Sequence, residues 1–98
     1  MACIFVDMNI QQFKYVLAVA EMKHFEHAAQ KSFVTQSTLS TMIGKLENEI
    51  GIKIFDRKTK PVSITKEGKA VIEQLQIIIK EIDALEAKIH DLKNKSCA

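Results

Sequence analysis

Residues 35 to 45 read Thr-Gln-Ser-Thr-Leu-Ser-Thr-Met-Ile-Gly-Lys, short hydroxyls and one amide at the start of an apolar-periodic segment. Thr35, Gln36, Ser37, Thr38, Ser40 and Thr41 carry donors and acceptors on side chains short enough to approach a flat polar surface. A helix that reads base edges in the major groove of DNA needs such groups near its N-terminus, and a glutamine amide there can pair bidentately with adenine. Lys45 adds a cation further along the same segment. Arg57, Lys58 and Lys60 form a second cluster suited to phosphate oxygens, which supply affinity and register but little sequence information. Out of context, the polar residues also fit an ordinary exposed helix face, and the basic run fits a solvated loop.

Other chemistries find less support. No Ser/His/Asp, Cys/His or paired-carboxylate arrangement stands at recognisable spacing, so no enzyme is expected. His24 and His27 can share a helical face, but no third ligand stands at metal spacing, and neither metal nor other cofactor is expected. Cys3 and Cys97 sit at opposite ends of the chain, giving neither a disulfide framework nor a CxxC knuckle. That usage suits a reduced, cytoplasmic protein.

The elements that must position these residues follow from periodicity. Ile10, Phe13, Val16, Leu17 and Ala20 form one face of a helix that Asn9 or Asp7 can cap. A second helix is expected from Phe25 to about Ser32, burying Phe25, Ala28 and Ala29, with a turn at Phe33-Val34. Thr35 then caps a third, whose apolar face is Leu39, Met42, Ile43, Leu46 and Ile50, and Gly51 ends it. Ile52, Ile54, Val62 and Ile64 alternate with polar neighbours around the basic loop 56–61, predicting a two-stranded hairpin. Thr65 opens a last helix to about Leu92.

Val71, Leu75, Ile78, Ile82, Leu85, Ile89 and Leu92 step 4-3-4-3-4-3 along that helix, a heptad register. At about 1.5 Å per residue the helix is roughly 40 Å long, against a radius of gyration of about 13 Å for a compact body of this size. The stripe is therefore expected to project with nothing of its own to pack on and to dimerise. A core stripe within a helical bundle is the alternative.

Composition sets outer bounds. A chain of 98 residues makes one domain at most, and 47% hydrophobic with 27% charged residues excludes wholesale disorder. The longest apolar run, Tyr15 to Ala20, falls far short of the roughly 20 residues of a membrane span. Met1 to Asp7 has neither a basic region nor a cleavage site of a signal peptide. Net charge is only +2, but five of the basic residues, against Asp56 alone, fall between Lys53 and Lys66. The combined expectation is a mainly α winged helix-turn-helix with a long C-terminal dimerisation helix. Its divisions would be a tail over 1–7, the DNA-binding domain over 8–65, the linker helix over 66–92 and a tail over 93–98.

From Ala20 to Lys69 the sequence resembles the DNA-binding half of LysR-type transcriptional regulators. The matching residues are Ala28-Ala29, Thr35-Gln36, Ser40, Leu46-Glu47, Gly51, Phe55, Arg57 and the Thr65/Gly68 opening of the last helix. The similarity extends over about Met8 to Leu92. It implies that Gln36, Ser37, Ser40 and Thr41 face double-stranded DNA, that Lys60 contacts the backbone or minor groove, and that paired linker helices run antiparallel. It also implies a homodimer, with higher oligomers open to the full-length protein, and a small-molecule or redox effector acting only through a domain this chain lacks. His24-Phe25 and Thr38-Leu39-Ser40 are similar to the peroxide-sensing branch. Ser37 stands where proline is frequent, Thr41 where arginine is common, and Gly44 where a charged residue is usual. Two rivals remain: the winged helix of another regulator class, such as the molybdate-responsive one, and a coiled-coil module that binds protein.

Overall fold

The computed structural model describes residues 9–96; the expected tail at Met1 to Asp7, Met8, and Cys3 and Cys97 lie outside them. Helix α1 (Ile10–Met22) opens on a capping box. The Asn9 side chain accepts from the Gln12 N–H at 2.9 Å, and the Gln12 side chain accepts from the Asn9 N–H at 3.1 Å. The buried face is Gln12, Tyr15, Val16 and Val19, rotated from the expected stripe, and Ile10 is exposed. Gln12 tolerates burial because its amide is satisfied twice, by the capping box and by its Nε2 donating to the Met42 carbonyl at 3.4 Å.

Helix α2 (Phe25–Lys31) packs Phe25, Ala28 and Ala29 inward and gives way to a turn in which the Val34 N–H donates to the Ala29 carbonyl. In helix α3 (Gln36–Ile50), the Thr35 Oγ1 accepts from the Thr38 N–H at 3.1 Å. Gly51, at φ 71°, closes it, a left-handed conformation that glycine adopts without a Cβ penalty.

The hairpin is shorter than the alternation predicts. Strand β1 (Phe55–Asp56) pairs antiparallel with β2 (Ser63–Ile64), Phe55 opposite Ile64 and Asp56 opposite Ser63. Ile52 and Ile54 lie outside the ladder because their N–H groups are spent on Glu47, one on its carbonyl and one on its carboxylate.

Helix α4 (Lys66–Ser96) begins where the Thr65 Oγ1 accepts from the Gly68 N–H at 2.9 Å. A Cβ on Gly68 would stand 2.3 Å from the Ile54 carbonyl oxygen, so only glycine lets the helix lie this close to the hairpin. The helix continues to Ser96, about one turn past the expected end, and most of the tail expected over 93–98 is helical.

The core gathers Val16, Val19, Leu39, Ile43, Leu46, Ile54 and Phe55, closed from one side by Ile72 and Leu75 of α4. This corrects one expectation. Leu75, assigned to dimerisation, is only 5% exposed within this single chain, and Val71 and Ile78 are half-buried against the same core. The stripe has something of its own to pack on for its first turns, because α4 leans across α1 before leaving the body. Beyond half-buried Ile82, Leu85, Ile89 and Leu92 are exposed. The radius of gyration, 15.6 Å, exceeds the compact value of about 13 Å, as a projecting helix requires. The fold is a winged helix-turn-helix.

Candidate nucleic-acid interface

The capped start of α3 turns two faces in opposite directions. Leu39, Ile43 and Leu46 are buried, while Thr35, Gln36, Ser37, Thr38, Thr41 and Lys45 are exposed and Ser40 is half-buried. Helical spacing thus brings the expected polar residues onto one outward surface, with the cap keeping the first turn formed.

The wing comes to the side of this surface. Asp56 Oδ1 accepts from the Lys58 N–H at 3.0 Å, and the Thr59 hydroxyl lies 3.0 Å from Ser63 Oγ, which tightens the loop. The Lys60-Pro61 peptide is cis. The Val62 N–H donates to the Lys23 carbonyl at 3.1 Å and docks the wing on the α1–α2 turn. Lys58 and Lys60 are exposed, and neither forms an ion pair among the described residues.

Between wing, α1–α2 turn and α3 lies an open recess of about 360 Å³ whose lining includes Lys23, His24, Gln36, Ser40, Arg57 and Lys60. Three cations border it against a single acid, Glu26. A concavity lined by one sign of charge concentrates the field for an opposite partner, here an anion.

Arg57 occupies a different place from the other expected contacts. Its Nη1 donates to Ser40 Oγ at 2.6 Å, its Nη2 to the Ser40 carbonyl at 3.3 Å, and Nη2 lies 3.5 Å from Glu47 Oε1. The guanidinium also sits 4.6 Å from the centre of the Phe25 ring. Arg57 therefore ties the wing to α3 and α2, and much of its hydrogen-bonding capacity is spent inside the protein.

Glu47 is the residue whose role the sequence did not disclose. It is 5% exposed, and its Oε2 accepts from the N–H groups of Ile54 at 2.8 Å and Phe55 at 3.1 Å. An acid four residues after Ile43, on the buried stripe, was the available signal. Lys23 and His24 were likewise missed as parts of the recess. Lys23 ends α1 at φ 56°, and His24 precedes α2 without a capping hydrogen bond, its ring stacked on that of His27 at 4.4 Å. No group of three metal-ligating side chains stands together among the described residues.

Residues 10–69 match the family described as bacterial regulatory helix-turn-helix protein, lysR family. The hydrogen peroxide-inducible genes activator of Pectobacterium carotovorum subsp. carotovorum is 38% identical over 78 residues, covering 80% of this chain and 26% of that protein. The DNA-binding transcriptional dual regulator OxyR of Escherichia coli K12 is 37% identical, with the same coverage. The chain thus spans about a quarter of the length of these curated relatives. Vibrio fischeri DarR, solved in complex with DNA, superposes with a TM-score of 0.83 at 31% identity, over 90% of this chain and 30% of that one. The BenM DBD in complex with benA site 1 DNA superposes with a TM-score of 0.83 at 29% identity, over 87% of this chain and 96% of that one.

Proposed function

The chain belongs to the lysR family of bacterial regulatory helix-turn-helix proteins, and from that premise we propose that it binds duplex DNA sequence-specifically, as a homodimer, in the regulation of transcription. The observation that carries this reading is the pairing of an outward polar face on α3 with a basic wing across one recess. A major groove about 12 Å wide admits an α-helix, and exposed cations beside that helix suit the phosphates that flank the groove. DarR and the BenM DBD, both solved in complex with DNA, support DNA as the partner. The similarity to peroxide-inducible activators supports a place in that branch. The role is one of binding rather than catalysis, in the cytoplasm; no helix among the described residues is long and apolar enough to cross a membrane.

In this reading Thr35, Gln36, Ser37, Thr38, Ser40, Thr41 and Lys45 present to the groove, and Lys58 and Lys60 to phosphate. Gln36 leads the exposed face and carries an amide that fits adenine N6 and N7. Gln36→Ala is expected to cost about 1–3 kcal/mol on a duplex selected by the wild type and to relax selectivity at one base step. A competition assay between single-base variants checks this, and unchanged selectivity would remove Gln36 from base readout.

Lys60→Ala is expected to weaken binding to selected and random duplexes alike, and to lower the log–log salt slope by about 1. A loss confined to the selected sequence would make Lys60 a base contact instead. Titration against salt also tests the function as a whole: a coiled-coil module that binds protein has no affinity for DNA that falls steeply with salt.

A further inference from the structure

The hydrogen bond between Arg57 and Ser40 has a direction that no rearrangement can reverse. A guanidinium carries only donors and stays protonated, so the 2.6 Å contact from Nη1 makes Ser40 Oγ the acceptor. The pair Thr35 and Thr38, whose hydroxyls lie 2.9 Å apart, has no such constraint, since either hydroxyl can donate to the other. The guanidinium is also pinned, by the Ser40 carbonyl at 3.3 Å, Glu47 Oε1 at 3.5 Å and the Phe25 ring below it. Ser40 itself is half-buried and lines the recess beside Gln36 and Lys60. Among the described residues no acceptor takes its hydroxyl proton.

Resting on the DNA-binding reading above, we propose that Arg57 sets the polarity of Ser40, so that Ser40 turns its O–H to a hydrogen-bond acceptor on DNA: a purine N7, guanine O6, thymine O4 or a phosphate oxygen. One side of Oγ is occupied by a cation, and that charge strengthens the remaining O–H as a donor. The exocyclic amino groups of adenine and cytosine are donors; they are left with the second lone pair of Oγ, beside the positive charge of Arg57, and are disfavoured there. Arg57 is thus a positioning residue, acting on DNA through the serine it orients.

A protein–DNA double-mutant cycle tests this. A duplex is first selected from a random pool by the wild-type chain, and its acceptors are then removed one at a time. The substitutions are 7-deazapurines for N7, 2-aminopurine for guanine O6, 5-methyl-2-pyrimidinone for thymine O4 and methylphosphonates for phosphate oxygens, with purine for the adenine amino group and 2-pyrimidinone for the cytosine amino group as the donor arms. One of the acceptor substitutions should weaken wild-type binding by about fivefold, the worth of one hydrogen bond, and weaken Ser40→Ala no further. The base and phosphate arms identify which source supplies the acceptor. Ser40→Thr, which keeps the hydroxyl, should retain the loss on the same substitution. Coupling of Ser40 to an exocyclic amino group, or to no group at all on a duplex bound selectively, overturns the inference and leaves the functional reading intact. Failure to select any duplex overturns both.

Discussion

Glu47→Ala should remove about 3–5 kcal/mol of folding stability, enough to unfold much of the protein near physiological temperature. The loss follows from what the carboxylate does. Its Oε2 serves two backbone N–H groups, those of Ile54 and Phe55, in residues that are 0% and 1% exposed. Alanine leaves both donors without a partner and out of reach of water, at about 1–3 kcal/mol each. A domain of this size holds only about 5–15 kcal/mol in all. Glu47→Gln should cost less, because one amide oxygen can still accept from both N–H groups while the contact with Arg57 is lost. Urea denaturation followed by circular dichroism gives both values. A loss below about 1 kcal/mol for the alanine variant would show that the hairpin is held some other way.

Leu85→Asp should convert a dimer into monomers without unfolding either chain. Leu85 is 56% exposed in the single chain, so the substitution removes little packing from the body. In the proposed pairing of α4 helices, the aspartate lies in an apolar seam with Ile82 and Ile89. An uncompensated charge there costs several kcal/mol, and about 4 kcal/mol is roughly a thousandfold in the dimer dissociation constant. Binding to a two-half-site operator should fall with it, because two recognition helices about 34 Å apart must act together. Leu75→Asp separates the two roles of the stripe. Leu75 is 5% exposed inside one chain, so a charge there should unfold the body itself. Sedimentation equilibrium with circular dichroism distinguishes these outcomes. A wild type that is monomeric at tens of micromolar, or a Leu85→Asp variant that dimerises as well as the wild type, would refute the pairing.

Where most helices start and stop, and which side of α3 faces outward, follows from residues close together in the chain. Asn9, Thr35, Gly51 and Thr65 act within one turn of themselves, through a side-chain oxygen meeting a nearby N–H or through a left-handed backbone. The outward face of α3 follows from a 3.6-residue period whose apolar members have one place to go. Nothing distant is needed for either.

The remaining features depend on contacts between distant parts of the chain. Gln12 is buried because a carbonyl 30 residues away meets its amide, so a polar residue on the inner face reverses the simple pattern. The ladder starts only at Phe55 because Glu47, from the preceding helix, takes the N–H groups of Ile52 and Ile54 on its carbonyl and its carboxylate. Arg57 looks in sequence like one more cation of a basic loop, yet a serine 17 residues earlier and an acid 10 residues earlier engage its guanidinium. The heptad of α4 is continuous in sequence, but its first turns meet α1 and its later turns leave the body. Periodicity states that a face is apolar; what covers the face depends on which surfaces the chain brings there, and that is a property of packing between residues far apart in sequence.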